Sequence, residues 1–357
     1  MIGVIGGYGA VGEQAARLLG SWGAGPLRIG GRDLRQAQHT TAALPGAVEA
    51  VAVDVEDATS LAAFVRGCEV VVNCAGPSHR ISARVARAAL AAGAHHVDAG
   101  GDGLPSDTAG RCAVFAAGAL PGFSGLLPRW LAAQEFDTVH ALTVYAGVLD
   151  RFTATGAEDY LHGVLGGANE PLAAWRDGSR RSAALTRRST VTLPCFPREV
   201  SAFPYLDAEG EHVARDLSLI HGSWYTVLDG GHLTAALDAA RALPMDGAVA
   251  GLCRATALDA AGRTPYVVML AQLDGTAAGR TTTRTAVVRA PGIAQLTGAT
   301  AAAATVAVLN GEVPAGAHHA ATVLDPSATV TRLREVLDLT IHQIAIDQLT
   351  VIEEGAL

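Results

Sequence analysis

The sequence predicts an α/β protein in two parts: a doubly wound parallel sheet at the N-terminus, then a second α+β domain built on a mainly antiparallel sheet. Three observations predict it. The first 130 residues alternate short apolar runs with stretches of helical periodicity. From about Phe136 the runs lengthen and alternate in the manner of an antiparallel sheet. Half of the 357 residues are hydrophobic while only 17% are charged, as a sheet buried on both faces requires. A chain of this length exceeds the roughly 250–300 residues at which one core stops growing, so the expected division is 1–130, 131–290 and a C-terminal helical segment, 291–357.

The elements follow in order. Residues 2–6 are an apolar run, followed by Gly7-Tyr8-Gly9-Ala10-Val11-Gly12 and by Val11, Ala15, Leu18 and Trp22 at helical spacing. This reads as strand, glycine turn and helix. Residues 26–31, 48–53, 70–74, 97–99 and 113–117 give five more strands. Residues 34–44, 57–65 and the face formed by Ile81, Val85, Ala88 and Ala92 give the helices between them. Parallel neighbours need crossovers, and helices make them. In the second part residues 138–149, 190–196, 250–258, 265–273 and 281–289 read as strands, the last three joined by turn-rich 259–262 and 274–279. Residues 157–165 and 233–243 read as helices, and Ile293, Leu296, Thr300, Ala304 and Ala307 line one side of a longer one.

Composition narrows the partners. A net charge of −8 argues against nucleic acid, whose phosphates call for clustered cations. Cys68, Cys74, Cys112, Cys195 and Cys253 are odd in number and lack CxxC spacing, so neither a disulfide framework nor a cysteine zinc site is indicated, and a reducing cytoplasm is expected. The start lacks the basic and apolar regions of a signal peptide, and no apolar run reaches the roughly 18–20 residues of a membrane span.

The glycine motif carries most of the functional signal, because it lies between a strand and a helix. There Gly7 suits a tight turn, Gly9 lets backbone approach a pyrophosphate, and Gly12 lets helix and strand pack closely, while Tyr8, Ala10 and Val11 complete the loop. The helix N-terminus offers unpaired N–H groups to the phosphates. This is the fingerprint of a Rossmann dinucleotide-binding domain. About twenty residues on, where such domains meet the adenosine ribose, the chain reads Gly30-Gly31-Arg32-Asp33. An acidic residue directly at the strand end would accept the ribose hydroxyls of NAD, whereas Arg32 can pair with a 2′-phosphate. NADP is therefore the expected cofactor, with NAD open. Asp33 either caps the next helix, which is favoured, or turns to the ribose. Asp54 either lies near the adenine or caps a turn.

The segment 71–77, with Asn73-Cys74-Ala75-Gly76-Pro77, then residues 86–93 and His96-Val97-Asp98-Ala99-Gly100-Gly101-Asp102, resembles the saccharopine dehydrogenase-like family, which includes trans-acting enoyl reductases of polyketide pathways. Gly30-Gly31-Arg32 and residues 117–122 are similar to it too. Asp102 stands where many relatives carry Glu, and the stretch 102–114 is shorter than in many of them. The resemblance implies an NAD(P)-dependent oxidoreductase, and that the long helix after residue 290 could pack on the first domain.

Ligands of this fold lie beyond the carboxyl ends of the strands. Cys74, Ala75, Gly76, Pro77 and Asp98 are therefore expected beside the cofactor, with Ser78, His79, Asp98 and Asp102 near the nicotinamide. His79 either donates a proton or faces solvent, and Asp98 either orients the cofactor amide or caps its loop. In the second domain His221-Gly222-Ser223-Trp224-Tyr225 and Asp229-Gly230-Gly231-His232 concentrate proton donors; Tyr225 or His221 could protonate the product with Trp224 walling the pocket, or the segment is a turn with half-buried aromatics. Residues 175–188 carry five arginines that form a solvated loop or receive an acidic substrate or carrier protein. His95-His96 and His318-His319 lack a third ligand at useful spacing, so no metal is expected.

Together these readings predict a cytoplasmic, biosynthetic NADPH-dependent reductase of a C=N or C=C bond in a small or carrier-tethered substrate. A non-catalytic NADP-binding sensor or partner subunit is the alternative. A homospermidine synthase-like transferase holding NAD internally fits less well with Arg32, and a homodimer is left open.

Overall fold

The computed structural model describes residues 1–101, 103–166 and 169–349. The chain forms two compact units, residues 1–126 with 294–336 and residues 127–293 with 337–357.

The first unit begins β1 (Ile2–Ile5), α1 (Ala10–Ser21), β2 (Leu27–Gly31), α2 (Leu34–Ala43), β3 (Val48–Ala52), α3 (Ala58–Val65), β4 (Val70–Asn73), α4 (Ser78–Ala91), β5 (His95–Asp98) and β6 (Cys112–Phe115). β1, β4 and β6 are buried along their whole length, as strands covered on both faces must be. Asp33 and Asp57 begin α2 and α3 by accepting backbone N–H groups of their first turns. Phe64, fully buried, packs with Ile5, Val53, Leu61 and Val71 on one face of the sheet. Burying one such ring is worth about 1.5–3 kcal/mol.

α5 (Phe123–Glu135) leads into the second unit: β7 (Thr138–Leu149), α6 (Ala154–Leu165), β8 (Glu170–Pro171), β9 (Ala174–Arg176), β10 (Ser179–Arg181), β11 (Arg188–Val191), β12 (Val200–Leu206), α7 (Ala208–Asp216), β13 (His221–Leu228), α8 (Gly231–Ala240), α9 (Met245–Asp259), β14 (Tyr266–Ala277) and β15 (Arg280–Ala290). α10 (Ile293–Leu309), β16 (Gly316–His319), α11 (Ala320–Val323) and α12 (Pro326–Leu333) then complete the first unit, and β17 (Asp338–His342) pairs with β15 in the second.

The first sheet runs β16-β6-β5-β4-β1-β2-β3, every pair parallel. β16 is a seventh strand beyond the six expected. The second sheet has ten strands and is mostly antiparallel, with β13 and β7 parallel along eight registered residues. Both agree with the predicted fold class.

Of the strand expected at 190–196 only 190–191 remain, at the end of β11, and three further local readings change. Residues 250–258, expected as a strand, lie in α9: the buried Ala248, Leu252, Ala255 and Thr256 follow helical spacing, and alanine and leucine favour helix once that face has a partner. Residues 274–279 are not a loop, since β14 and β15 continue to Ala277 and Arg280 and turn on Ala278 and Gly279 alone, both at positive φ. Residues 221–225 are no turn but the start of β13, a central strand.

α10 is buried along most of its length among small side chains. Gly298 lies against α1 so closely that a Cβ there would stand 2.5 Å from the Val11 carbonyl oxygen. The helix that opens at the glycine turn is thus held from behind by α10. No helix among the described residues is long and apolar enough to cross a membrane.

Candidate functional site

The glycine turn occupies the carboxyl end of β1. The left-handed residue is Gly6 (φ +72°) rather than Gly7, because Gly6 passes the loop after β4 at a distance where a Cβ would reach 2.7 Å from the Ala75 nitrogen. Gly7 lies against Ile29 instead, and Gly12 against the Gly6 carbonyl, 2.2 Å from where its Cβ would be. Gly9 is the N-cap of α1, in ordinary extended backbone with no side-chain cap. A Cβ on it would meet only the Gly6 oxygen, at 3.2 Å, so the space outside the first turn of α1 is open. Ala10 is exposed and Val11 half-buried on that turn. Unpaired N–H groups beside a side-chain-free backbone are what a pyrophosphate requires.

At the end of β2, Tyr8 crosses over Gly31, and its hydroxyl accepts the Asp33 N–H at 3.0 Å. Asp33 Oδ1 accepts the N–H groups of Arg35 (2.9 Å) and Gln36 (3.3 Å), so Asp33 is the cap of α2 and not a ribose ligand. The result is an open hollow of about 720 Å³ lined by Tyr8, Arg32, Asp33, Leu34, Arg35 and Gln36. Two guanidinium groups border it, and the one carboxylate among them is committed to a helix cap. These residues fit a dinucleotide with a 2′-phosphate. Arg35 was not among the sequence candidates, although the cap at Asp33 already implies it on the first turn of α2. Asp54 follows β3 and accepts the Glu56 N–H at 3.0 Å, closing the turn before α3.

The loop after β4 is built from below. Asn73 Oδ1 accepts the Ala75 N–H at 3.2 Å, and Asn73 Nδ2 donates to Asp98 Oδ2 at 2.8 Å. Asp98 Oδ1 accepts the Gly100 N–H at 3.0 Å, and His96 Nε2 stands 3.4 Å from Asp98 Oδ2. Asp98 is 1% exposed, so its carboxylate fixes two loops to each other and does not present itself to a ligand. Sequence reasoning quoted Asn73 but gave it no role. Cys74, Ala75, Gly76 and Pro77 follow, all half-buried, with a cis peptide before Pro77. Burial, aided by the Asp98 charge, pushes the Cys74 thiol up to about 12, so it stays protonated at neutral pH. Gly100 packs on Ser78, and His79 is exposed on the first turn of α4. Asp102 lies outside the described residues.

In the second unit Tyr225 is a core residue. It is 5% exposed, stacked on Tyr145 with ring centroids 4.7 Å apart, and covered by the Arg188 guanidinium at 5.4 Å. It therefore does not serve as an accessible donor. His221 is exposed at the start of β13, and Trp224 is half-buried against α7 at Gly210. The Asp229–His232 cluster is structural. Asp259 accepts the His232 and Leu233 N–H groups and so caps α8, and Gly230 passes too close to Asp259 to carry a side chain. Asp229 is buried and paired with Arg263, and it accepts the Tyr266 hydroxyl at 2.6 Å, which with burial drives the tyrosine pKa upward. Four of the five arginines in 175–188 are used within the unit: Arg176 on Ser223, Arg180 on Glu211, Arg187 on Asp238 and Phe203, and Arg188 on Tyr145.

A seven-stranded parallel sheet with a glycine turn after the inner strand β1 and two arginines beyond the neighbouring β2 is the architecture of NAD(P)-dependent oxidoreductases. Residues 2–116 match the family described as "Saccharopine dehydrogenase NADP binding domain". The N-terminal part of the chain is thus similar to that NADP-binding domain, which supports NADP as the cofactor. A saccharopine dehydrogenase (L-Glu forming) from Saccharomyces cerevisiae is similar in structure at 14% identity and a TM-score of 0.70, covering 96% of this chain and 99% of that one, which shows the shared fold. A Rossmann-fold NAD(P)-binding family protein from Shigella flexneri overlaps 27% of this chain and 49% of its own at 16% identity, with a TM-score of 0.24.

Proposed function

We propose that the protein is an NADPH-dependent reductase acting on a C=N or C=C bond in a small or carrier-tethered substrate. The observation that carries the reading is the hollow at the end of β2, where Arg32 and Arg35 stand beside a carboxylate already spent on a helix cap. NADPH supplies the hydride. In this reading Gly9 and the first turn of α1 hold the pyrophosphate, Arg32 and Arg35 hold the 2′-phosphate, and residues 74–77, kept in place by Asn73 and Asp98, border the nicotinamide.

A proton must reach the atom that becomes negative after reduction. His79, exposed on the first turn of α4 in the same unit as the glycine turn, and His221, exposed at the start of β13, are the candidate donors. The engagement of the arginines in 175–188 within their own unit speaks against that stretch as the receiver of an acidic carrier. Following NADPH absorbance with separate panels of cyclic imines and of enoyl thioesters tests the reading. Consumption with one panel names the bond. Binding of NADPH without consumption by either would favour the sensor reading instead.

A further inference from the structure

Tyr8 is the side chain that ties the glycine turn to the loop that selects the coenzyme. The three atoms nearest to a Cβ built on Gly31 all belong to Tyr8, at 2.2, 2.6 and 2.8 Å. Gly31 has no positive φ, so it is the tyrosine ring, not the backbone, that demands glycine there. The ring carries its hydroxyl to the Asp33 N–H, one residue past Arg32. Asp33 in turn spends its carboxylate on the N–H groups of Arg35 and Gln36. These bonds form one chain from the pyrophosphate turn to the first turn of α2.

We propose that Tyr8 is a positioning residue for coenzyme choice. By holding the backbone of Asp33, it keeps that carboxylate in the cap of α2 and leaves Arg32 and Arg35 to face a phosphate on the ribose. The inference rests on the NADP reading above. Its physical basis is a competition at Asp33, whose carboxylate would accept the ribose hydroxyls and repel a 2′-phosphate if it turned into the hollow. Two backbone N–H bonds and the Tyr8 tether hold it in the other orientation.

The experiment is a fluorescence titration of NADPH and NADH against the whole protein and three variants. Tyr8→Phe keeps the ring over Gly31 and removes the hydroxyl. NADPH binding should weaken about 3–10-fold while NADH binding stays level or tightens, the effect of one lost hydrogen bond read as a ratio. Asp33→Ser retains a capping oxygen without the charge, and combined with Tyr8→Phe it should restore NADPH affinity, because no carboxylate remains to turn. Gly31→Ala must push the ring aside and should lower the NADPH preference in the same way, which keeps the test open if Tyr8→Phe folds poorly. An unchanged ratio in Tyr8→Phe, equal weakening of both coenzymes, or no restoration by Asp33→Ser would each overturn the inference. A wild-type protein without NADPH preference would instead overturn the coenzyme reading beneath it.

Discussion

Two glycines of the same turn should fail in different ways, and the difference separates binding from folding. At Gly12 a Cβ would stand 2.2 Å from the Gly6 carbonyl oxygen and 2.8 Å from Gly7 Cα, both backbone atoms that cannot swing away. Gly12→Ala therefore has to move α1 off β1, an overpacking cost of about 1–3 kcal/mol, and α1 is also held by α10 at Gly298. At Gly9 the backbone is extended (φ −76°, ψ 164°), which any residue adopts, and the nearest atom to a Cβ is 3.2 Å away. Gly9→Val should cost only the difference between Gly and Val at an N-cap, about 1 kcal/mol or less, yet fill the space over the unpaired N–H groups. Urea unfolding should show Gly9→Val close to wild type and Gly12→Ala clearly displaced. Calorimetric titration should show NADPH binding weakened at least about 100-fold in Gly9→Val, as expected when the approach of a pyrophosphate to backbone is blocked. Wild-type affinity in Gly9→Val would refute the placement of the cofactor, and wild-type stability in Gly12→Ala would refute the packing argument.

Further outcomes follow from other contacts. Arg32→Ala should weaken NADPH about 10–100-fold and leave NADH almost unchanged, as titration of both will check, with Arg35→Ala acting in the same direction. Removing one partner of the buried Asp229–Arg263 pair by Asp229→Ala should cost about 3–5 kcal/mol in urea unfolding, whereas Tyr266→Phe, losing one hydrogen bond, should cost about 1 kcal/mol. If a side chain donates the proton, either His79→Ala or His221→Ala should lower kcat about 10²–10⁴-fold with NADPH affinity unchanged, while Tyr225→Phe should not; full activity in both histidine variants would leave water as the donor. Cys74, whose thiol is pushed up to about 12, should be alkylated far more slowly at neutral pH than an ordinary thiol and progressively faster as the pH rises within the folded range, as mass spectrometry over a pH series would show.

The N-terminal sheet was legible because its first four strands are short, mostly apolar and each followed by a helix, two of them begun by a capping aspartate. Asp33 and Asp57 mark those starts as clearly in the sequence as in the structure. β16 was not, since Gly316-Ala317-His318-His319 has neither an apolar run nor β-branched residues and becomes a strand only by pairing with β6. The same holds for 250–258, where an apolar stretch flanked by helix formers satisfies either period until Leu252 and Ala248 find neighbours on α6 and α8. In the site, counting from the glycine motif reaches Arg32, but the contribution of Arg35 depends on which way Asp33 turns, a choice made by hydrogen bonds of side chain to backbone. Tyr225 misled for a related reason: aromatic and titratable residues are dense at 221–225, but Tyr225 lies inside the length of β13, buried beside Tyr145, while His221 on the same face is left at the exposed end of the strand.

The first unit closes only when residues 294–336 arrive, after the whole of 127–293 has been made. Until then β6 is an edge strand without β16, and α1 lacks the helix that backs it. A ribosome adds about 5–20 residues per second, so a nascent dinucleotide domain waits for many seconds, up to tens of them, with an open sheet edge and an uncovered helix face. That interval is a window for chaperone capture or for pairing with a neighbouring chain, and a clone ended near residue 130 would make it permanent. A self-sufficient cofactor-binding fragment would have to splice 1–126 directly to 294–336.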